Sequence, residues 1–240
     1  LSFIPVDKNV EIMLVTITNT GRMAQTVTPT AAIPLYGRSA DNIRDHRHVT
    51  SLLHRIETTD TGVLVTPTLS FDERGHQVNH MTYYCVGWSG NGEKPVDFYP
   101  TAEDFVGEGG NFERPYAIVK NAEGVKAGTK IEGLEAVGGL HFSEITLEPE
   151  EECSYLIFTG ITEDIQEIRN LSKTYTTREK VLEELEKTKA YWQEKVNVAY
   201  HTGDSDFNQF MHWVSFQPIL RRIYGCSFLP HHDYGKGGRG

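Results

Sequence analysis

From Leu1 to about Gly160 the apolar positions fall in short runs rich in β-branched residues, each closed by a cluster of Gly, Pro, Asp or Asn. Glu11 to Thr18 reads Glu-Ile-Met-Leu-Val-Thr-Ile-Thr and stops at Asn19-Thr20-Gly21, after which Thr26-Val27-Thr28 resumes the pattern. That spacing predicts a hairpin or a meander. Further strands are expected over Ser51–Thr58, Val63–Phe71, Met81–Trp88, Leu140–Leu147 and Cys153–Ile161. The clearest turns are Asp72-Glu73-Arg74-Gly75 and Glu148-Pro149-Glu150-Glu151. Many short strands with no helical pattern between them predict an antiparallel sandwich rather than a βαβ sheet.

The period changes at Thr162. Ile161, Ile165, Ile168 and Leu171 recur at helical spacing, and Thr176-Thr177-Arg178-Glu179 has the form of a capping box. It opens a second helix through Val181, Leu182, Leu185, Trp192 and Val196, whose remaining faces are rich in Glu and Lys. This helix should be amphipathic and lie on the surface. A third helix is expected from Asp204 or Ser205, both good N-caps, through Phe207, Phe210, Met211, Trp213, Val214 and Phe216. Its aromatics spread round more than one face, so it should be buried on several sides, and Pro218 should end or kink it. The expected order is a β-sandwich over 1–161, a helical linker over 162–203, and from 204 to 240 the first helix of something larger.

Composition narrows the classes. A 240-residue chain that is 38% hydrophobic has material for a sizeable core. Its 33 acidic against 23 basic residues, a formal net charge of −10, argue against a nucleic-acid surface. Cys85, Cys153 and Cys226 are odd in number and far apart, which suggests neither a disulfide framework nor a zinc site and fits a reducing cytoplasm. No apolar run is long enough to span a membrane, and no signal segment opens the chain. Leu1 in first place, rather than Met, suggests a fragment.

Three stretches carry candidate chemistry. Gln217–Gly240 gathers Arg221, Arg222, Lys236, Arg239, His231, His232 and Asp233, and four of its last six residues are Gly. Such a backbone can approach a polar ligand closely while Lys236 and Arg239 reach over it, although an exposed Gly-rich tail has the same composition. Phe105–Pro115 is a second Gly-rich run, but it lacks the phosphate-loop spacings and is not followed by an obvious helix. Asn42–His54 crowds Arg44, His46, Arg47, His48 and His54 beside Asp41 and Asp45. A metal site on His46 and His48 with Asp45 or His54 is conceivable. A loop pairing Asp with Arg is the expectation, so no metal is assigned.

The order Phe216-Gln217, a basic pair, a Ser227-Phe228 segment and a Gly237-Gly238-Arg239-Gly240 close resembles the entry to the catalytic barrel of the inverting β-glycoside phosphorylases, the cellobiose phosphorylase family. Phe105–Pro115 is similar to that family's Phe-x-Gly-x-x-Gly-Ser-x-x-x-Pro run. The resemblance implies a β super-sandwich, a helical linker and the first helix of an (α/α)6 barrel, cut before the Arg-Asp and Gln-Asp pairs that line the sugar subsite. It also implies phosphorolysis of a β-glucoside to α-glucose 1-phosphate, with inorganic phosphate as co-substrate and no cofactor. The general acid is then an Asp beyond Gly240, so no residue of this chain is catalytic. Lys236, Arg239, Asp233 and His232 become candidates to line the substrate subsite. Arg44 and Arg47, with Asn42 and His48, become candidates to reach the active-site mouth of a partner in a homodimer. The closing stretch is nearer to members acting on β-1,2-linked glucans. Two other classes compete: a non-catalytic carbohydrate-binding sandwich using exposed Trp88 or Tyr99, and a hydrolase of the same sandwich-plus-barrel plan.

Overall fold

The structure is a computed structural model, and it describes residues 1–37, 47–72 and 75–220. In chain order the strands are β1 (Ser2–Phe3), β2 (Val10–Thr18), β3 (Gln25–Val27), β4 (Thr30–Leu35), β5 (Arg55–Thr58), β6 (Gly62–Val65) and β7 (Leu69–Asp72). They continue with β8 (Gly75–Val78), β9 (Thr82–Ser89), β10 (Asp97–Thr101), β11 (Lys130–Glu132), β12 (Ala136–His141), β13 (Ile145–Leu147) and β14 (Glu152–Thr162). The helices are α1 (Arg47–Ser51), α2 (Ala102–Val106), α3 (Tyr116–Lys120), α4 (Ile165–Thr174), α5 (Arg178–Lys195) and α6 (Ser205–Leu220). Two compact units, Leu1–Leu185 and Glu186–Gly240, divide the chain within α5.

Every pairing between the described strands is antiparallel. The main sheet has seven strands in the order β1-β2-β14-β9-β6-β5-β11, and a smaller one has the order β10-β12-β4. Central strands of the large sheet are buried on both faces, which explains their nearly continuous apolar runs. On β14, Leu156 and Phe158 join Ile12, Val86 and Trp88 under Ile168, Leu171, Tyr175 and Val181 of the helical segment. The alternate residues Tyr155 and Ile157 face the other way, with Cys85, Val63 and Val65, against Leu35, Phe98, Ala136 and Leu140 near the small sheet. The period of two along each strand therefore builds two cores, one between sheets and one under helices.

The expected mainly β, antiparallel architecture with helices following it is observed, while several boundaries move. Ser51 ends α1 instead of opening a strand, and β5 starts at Arg55. The run Val63–Phe71 is broken into β6 and β7 around Pro67, whose ring removes a ladder donor. Leu140–Leu147 is likewise two strands. Helix α4 starts after Asp164, whose side chain accepts from Gln166 N. Helix α6 starts after Asp204, whose Oδ1 accepts from Asp206 N at 2.9 Å and Phe207 N at 3.0 Å. Pro218 does not end it: the helix runs to Leu220, although the proline forfeits the donor that would bond the carbonyl four residues earlier. The expected burial of α6 on several sides is not seen, because Phe207, Phe210 and Trp213 are exposed. Among the described residues no helix is long and apolar enough to cross a membrane.

Candidate functional site

The Asn42–His54 stretch lies in the sequence between β4 and β5, and its described part runs from α1 through His54 to β5. His54 is 2% exposed, and both of its ring nitrogens are engaged by backbone. Gly37 N donates to Nε2 at 3.3 Å, so the proton resides on Nδ1, which donates to Leu134 O at 3.1 Å. Burial holds the imidazole below its ordinary value, with the Leu134 bond and Glu135 opposing that shift. His54 is thus a neutral clasp at the base of the stretch. It corrects the alternative in which His54 ligates a metal, because either nitrogen would first have to give up a backbone partner. Among the described residues no group of three or more His, Cys, Asp or Glu could hold a metal ion.

The second stretch, Phe105–Pro115, is a cap-to-cap connection. Thr101 Oγ1 accepts from Asp104 N at 3.0 Å and donates to Asp104 Oδ2 at 2.7 Å, fixing the start of α2. Gly107 closes α2 at φ 78°, a conformation that glycine adopts without strain. Asn111 Oδ1 then accepts from Glu113 N and Arg114 N at 3.0 and 3.1 Å, and Pro115 caps α3. A helix does follow this run, contrary to the expectation, but it is five residues long.

The aromatic platform expected for a carbohydrate-binding sandwich is overturned at both named positions. Trp88 is 3% exposed, stacks on Phe158 at 4.6 Å between centroids, and donates Nε1–H to Tyr175 O at 2.8 Å. Tyr99 is equally buried and donates its hydroxyl to Ala122 O at 2.6 Å. Neither ring face is free to stack on a sugar. Sequence reasoning also passed over Asp97 and His141, cross-strand partners on β10 and β12 that meet at 2.7 Å with Lys126 4.0 Å from the other carboxylate oxygen. No local signal marks that pair, since only the register of two distant strands brings it together.

The family model for glycosyl hydrolase 94, supersandwich domain, matches residues 1–178, which span the seven-stranded and three-stranded sheets, α4 and the start of α5. The chain belongs to glycosyl hydrolase family 94. No curated protein matches it. The family 94 chain is accordingly part of a carbohydrate-active enzyme, with its supersandwich built as the two-core sandwich described above. The structure does not describe the side chains of the residues expected to line its substrate site. Lys236, Arg239, Asp233, His232, Arg44 and Asn42 lie outside the described residues. Arg47 opens α1 with His48 beside it, and their side chains lie outside the description as well. Of the cysteines, Cys85 is fully buried, its thiol pushed up to about 12 by desolvation, and Cys153 is half-buried.

Proposed function

We propose that this chain is the N-terminal part of an inverting β-glycoside phosphorylase, which converts a β-glucoside and inorganic phosphate to α-glucose 1-phosphate and a shortened acceptor. The observation that carries the proposal is the supersandwich match over residues 1–178, followed by a helical segment and then α6 with its exposed Phe207, Phe210 and Trp213. In this reading residues 1–161 are the sandwich, 162–203 the linker, and 204–240 the start of an (α/α)6 barrel whose further helices cover α6. The reaction is a single displacement. A carboxylic acid protonates the glycosidic oxygen while a phosphate oxygen attacks the anomeric carbon from the opposite face. Phosphate, already anionic, needs no general base but does need cations and amide donors to hold it beside the sugar. The acid is an Asp beyond Gly240, so the chain supplies binding groups: Lys236, Arg239, Asp233 and His232 at the donor sugar, and Arg44 and Arg47 at the mouth of the partner's site in a homodimer. No cofactor is required. Unpaired Cys85 and Cys153 support a reducing, cytoplasmic setting.

The discriminating experiment adds phosphate to an enzyme in which this chain continues through a barrel. Phosphate-dependent release of α-glucose 1-phosphate from β-linked oligoglucosides supports the reading, and phosphate-independent release of glucose replaces it with a hydrolase. In the active enzyme Arg239→Ala should lower kcat/KM at least about tenfold, because a charged hydrogen bond to a sugar hydroxyl contributes roughly 1.5–3 kcal/mol. Unchanged kinetics in both Arg239→Ala and Lys236→Ala would remove the closing stretch from the site.

A further inference from the structure

On the outer edge of the supersandwich, α3 presents Tyr116, Val119 and Lys120 along one helical face. Tyr116 is 51% exposed, whereas the aromatic rings of the sandwich strands are mostly buried. A Cβ placed on Gly107 would come within 2.7 Å of the Tyr116 Cβ, so the glycine is what lets Tyr116 lie against the α2–α3 turn. Two open hollows, of about 340 and 370 Å³, share Gly107, Glu108 and Tyr116 as a common wall. Glu103 and Glu123 line the first hollow. Arg114 and Lys120 line the second. None of these carboxylates and cations has a side-chain hydrogen bond or ion pair among the described residues.

The arrangement selects for ligand chemistry. An anion is disfavoured by the carboxylates of the first hollow, and a cation by the guanidinium and ammonium of the second. A neutral polyol is suited to both, since each hydroxyl can donate to a carboxylate or accept from a cation. The C–H face of a pyranose would meanwhile cover the half-exposed ring between them. Each hollow falls in the range of small-ligand sites, about 300–1,000 Å³. We propose that this groove is a non-catalytic oligosaccharide-binding site, with Tyr116 as the platform between two sugar subsites. The choice of a glucan as its ligand rests on the carbohydrate-active reading of the chain.

The test titrates the 240-residue chain, in phosphate-free buffer, with cellotetraose, laminaritetraose and sophorotetraose, followed by calorimetry and by saturation-transfer NMR. Saturable binding of at least one is expected, weakened about tenfold by Tyr116→Ala and no more than about threefold by Tyr116→Phe, which keeps the ring. Lys130→Ala, which removes a surface cation paired with Glu57 outside both hollows, should leave this binding unchanged and so ties any loss to the groove. Thermal melting checks that each variant is folded; should Tyr116→Ala not fold, the double variant Arg114→Ala, Lys120→Ala must weaken binding instead. No saturable binding by any of the three sugars, or binding that folded Tyr116→Ala leaves intact, overturns the proposal. Because no phosphate is present, this result is independent of whether the longer enzyme releases a sugar phosphate.

Discussion

At the scale of single residues, the supersandwich depends on where a side chain is missing and where a proton is withheld. Gly138 on β12 faces Cys85 on β9 so closely that an added Cβ would lie 2.2 Å from the Cys85 Cβ. Gly138→Ala must push the two sheets apart or displace the thiol, and overpacking of that kind costs about 1–3 kcal/mol. A lowered urea midpoint with an unchanged slope is the expected outcome. Burial that raises the Cys85 thiol to about 12 also predicts that a disulfide reagent modifies Cys153 before Cys85, and Cys85 only on unfolding. His54 works in the opposite sense. Its folded-state value lies below the ordinary 6.5, so between the two values the unfolded chain binds more protons than the folded one. Stability is therefore full above about 6.5 and falls as pH drops through 6.5 toward the folded value. Unfolding midpoints measured from pH 8 to pH 5 should decline, and the decline should be shallower in His54→Asn. An equal slope in both proteins would show that the clasp does not titrate as described. His54→Ala should also destabilise at neutral pH by about 1–3 kcal/mol, because Gly37 N–H and Leu134 C=O lose their partners.

At the scale of elements, the helical segment is latched to the large sheet by a few bonds between distant parts of the chain. Trp88 on β9 donates to the Tyr175 carbonyl at the end of α4, and Lys8 Nζ donates to the Tyr175 hydroxyl at 2.8 Å. Trp88→Phe keeps the stacking on Phe158 but leaves that carbonyl unpaired, for an expected loss of about 1–3 kcal/mol in chemical denaturation. Asp164→Ala removes the cap of α4 and should lose about 1 kcal/mol. The elements that could be read from sequence were those whose own pattern decides them. Strands β2, β9 and β14 carry dense β-branched and aromatic runs, and α4, α5 and α6 carry periodicity with a capping residue at each start. Strands β4 and β10 were missed and β12 was anticipated only from Leu140 onward, because Pro34, Pro100 and the pair Gly138-Gly139 interrupt an otherwise apolar run. The first proline is tolerated because β4 is an edge strand, and the glycines are demanded by close packing that no local window reveals. For the candidate site, residue type was legible and placement was not. His54 read as one histidine among several, when its register beside Gly37 and Leu134 makes it a clasp. The groove at Tyr116 depends on α2, α3 and the 122–125 segment meeting, which the Gly-rich run alone does not announce.

At the scale of the molecule, the supersandwich is a folded body with two cores, and α6 offers Phe207, Phe210 and Trp213 on its exposed surface. A surface of that kind drives association, so the 240-residue chain should self-associate in sedimentation, and truncation after Gly203 should reduce it. Under the function proposed above, the sandwich binds and braces, and the acid that cleaves the glycosidic bond would belong to barrel helices packed over α6. The most direct measurement is an assay for α-glucose 1-phosphate with β-linked oligoglucosides and inorganic phosphate, run in parallel on the 240-residue chain and on an enzyme extended through the barrel. Release by the extended enzyme, dependent on phosphate, with none by the 240-residue chain, is the predicted result; turnover by the 240-residue chain alone, or phosphate-independent hydrolysis by the extended enzyme, would contradict it.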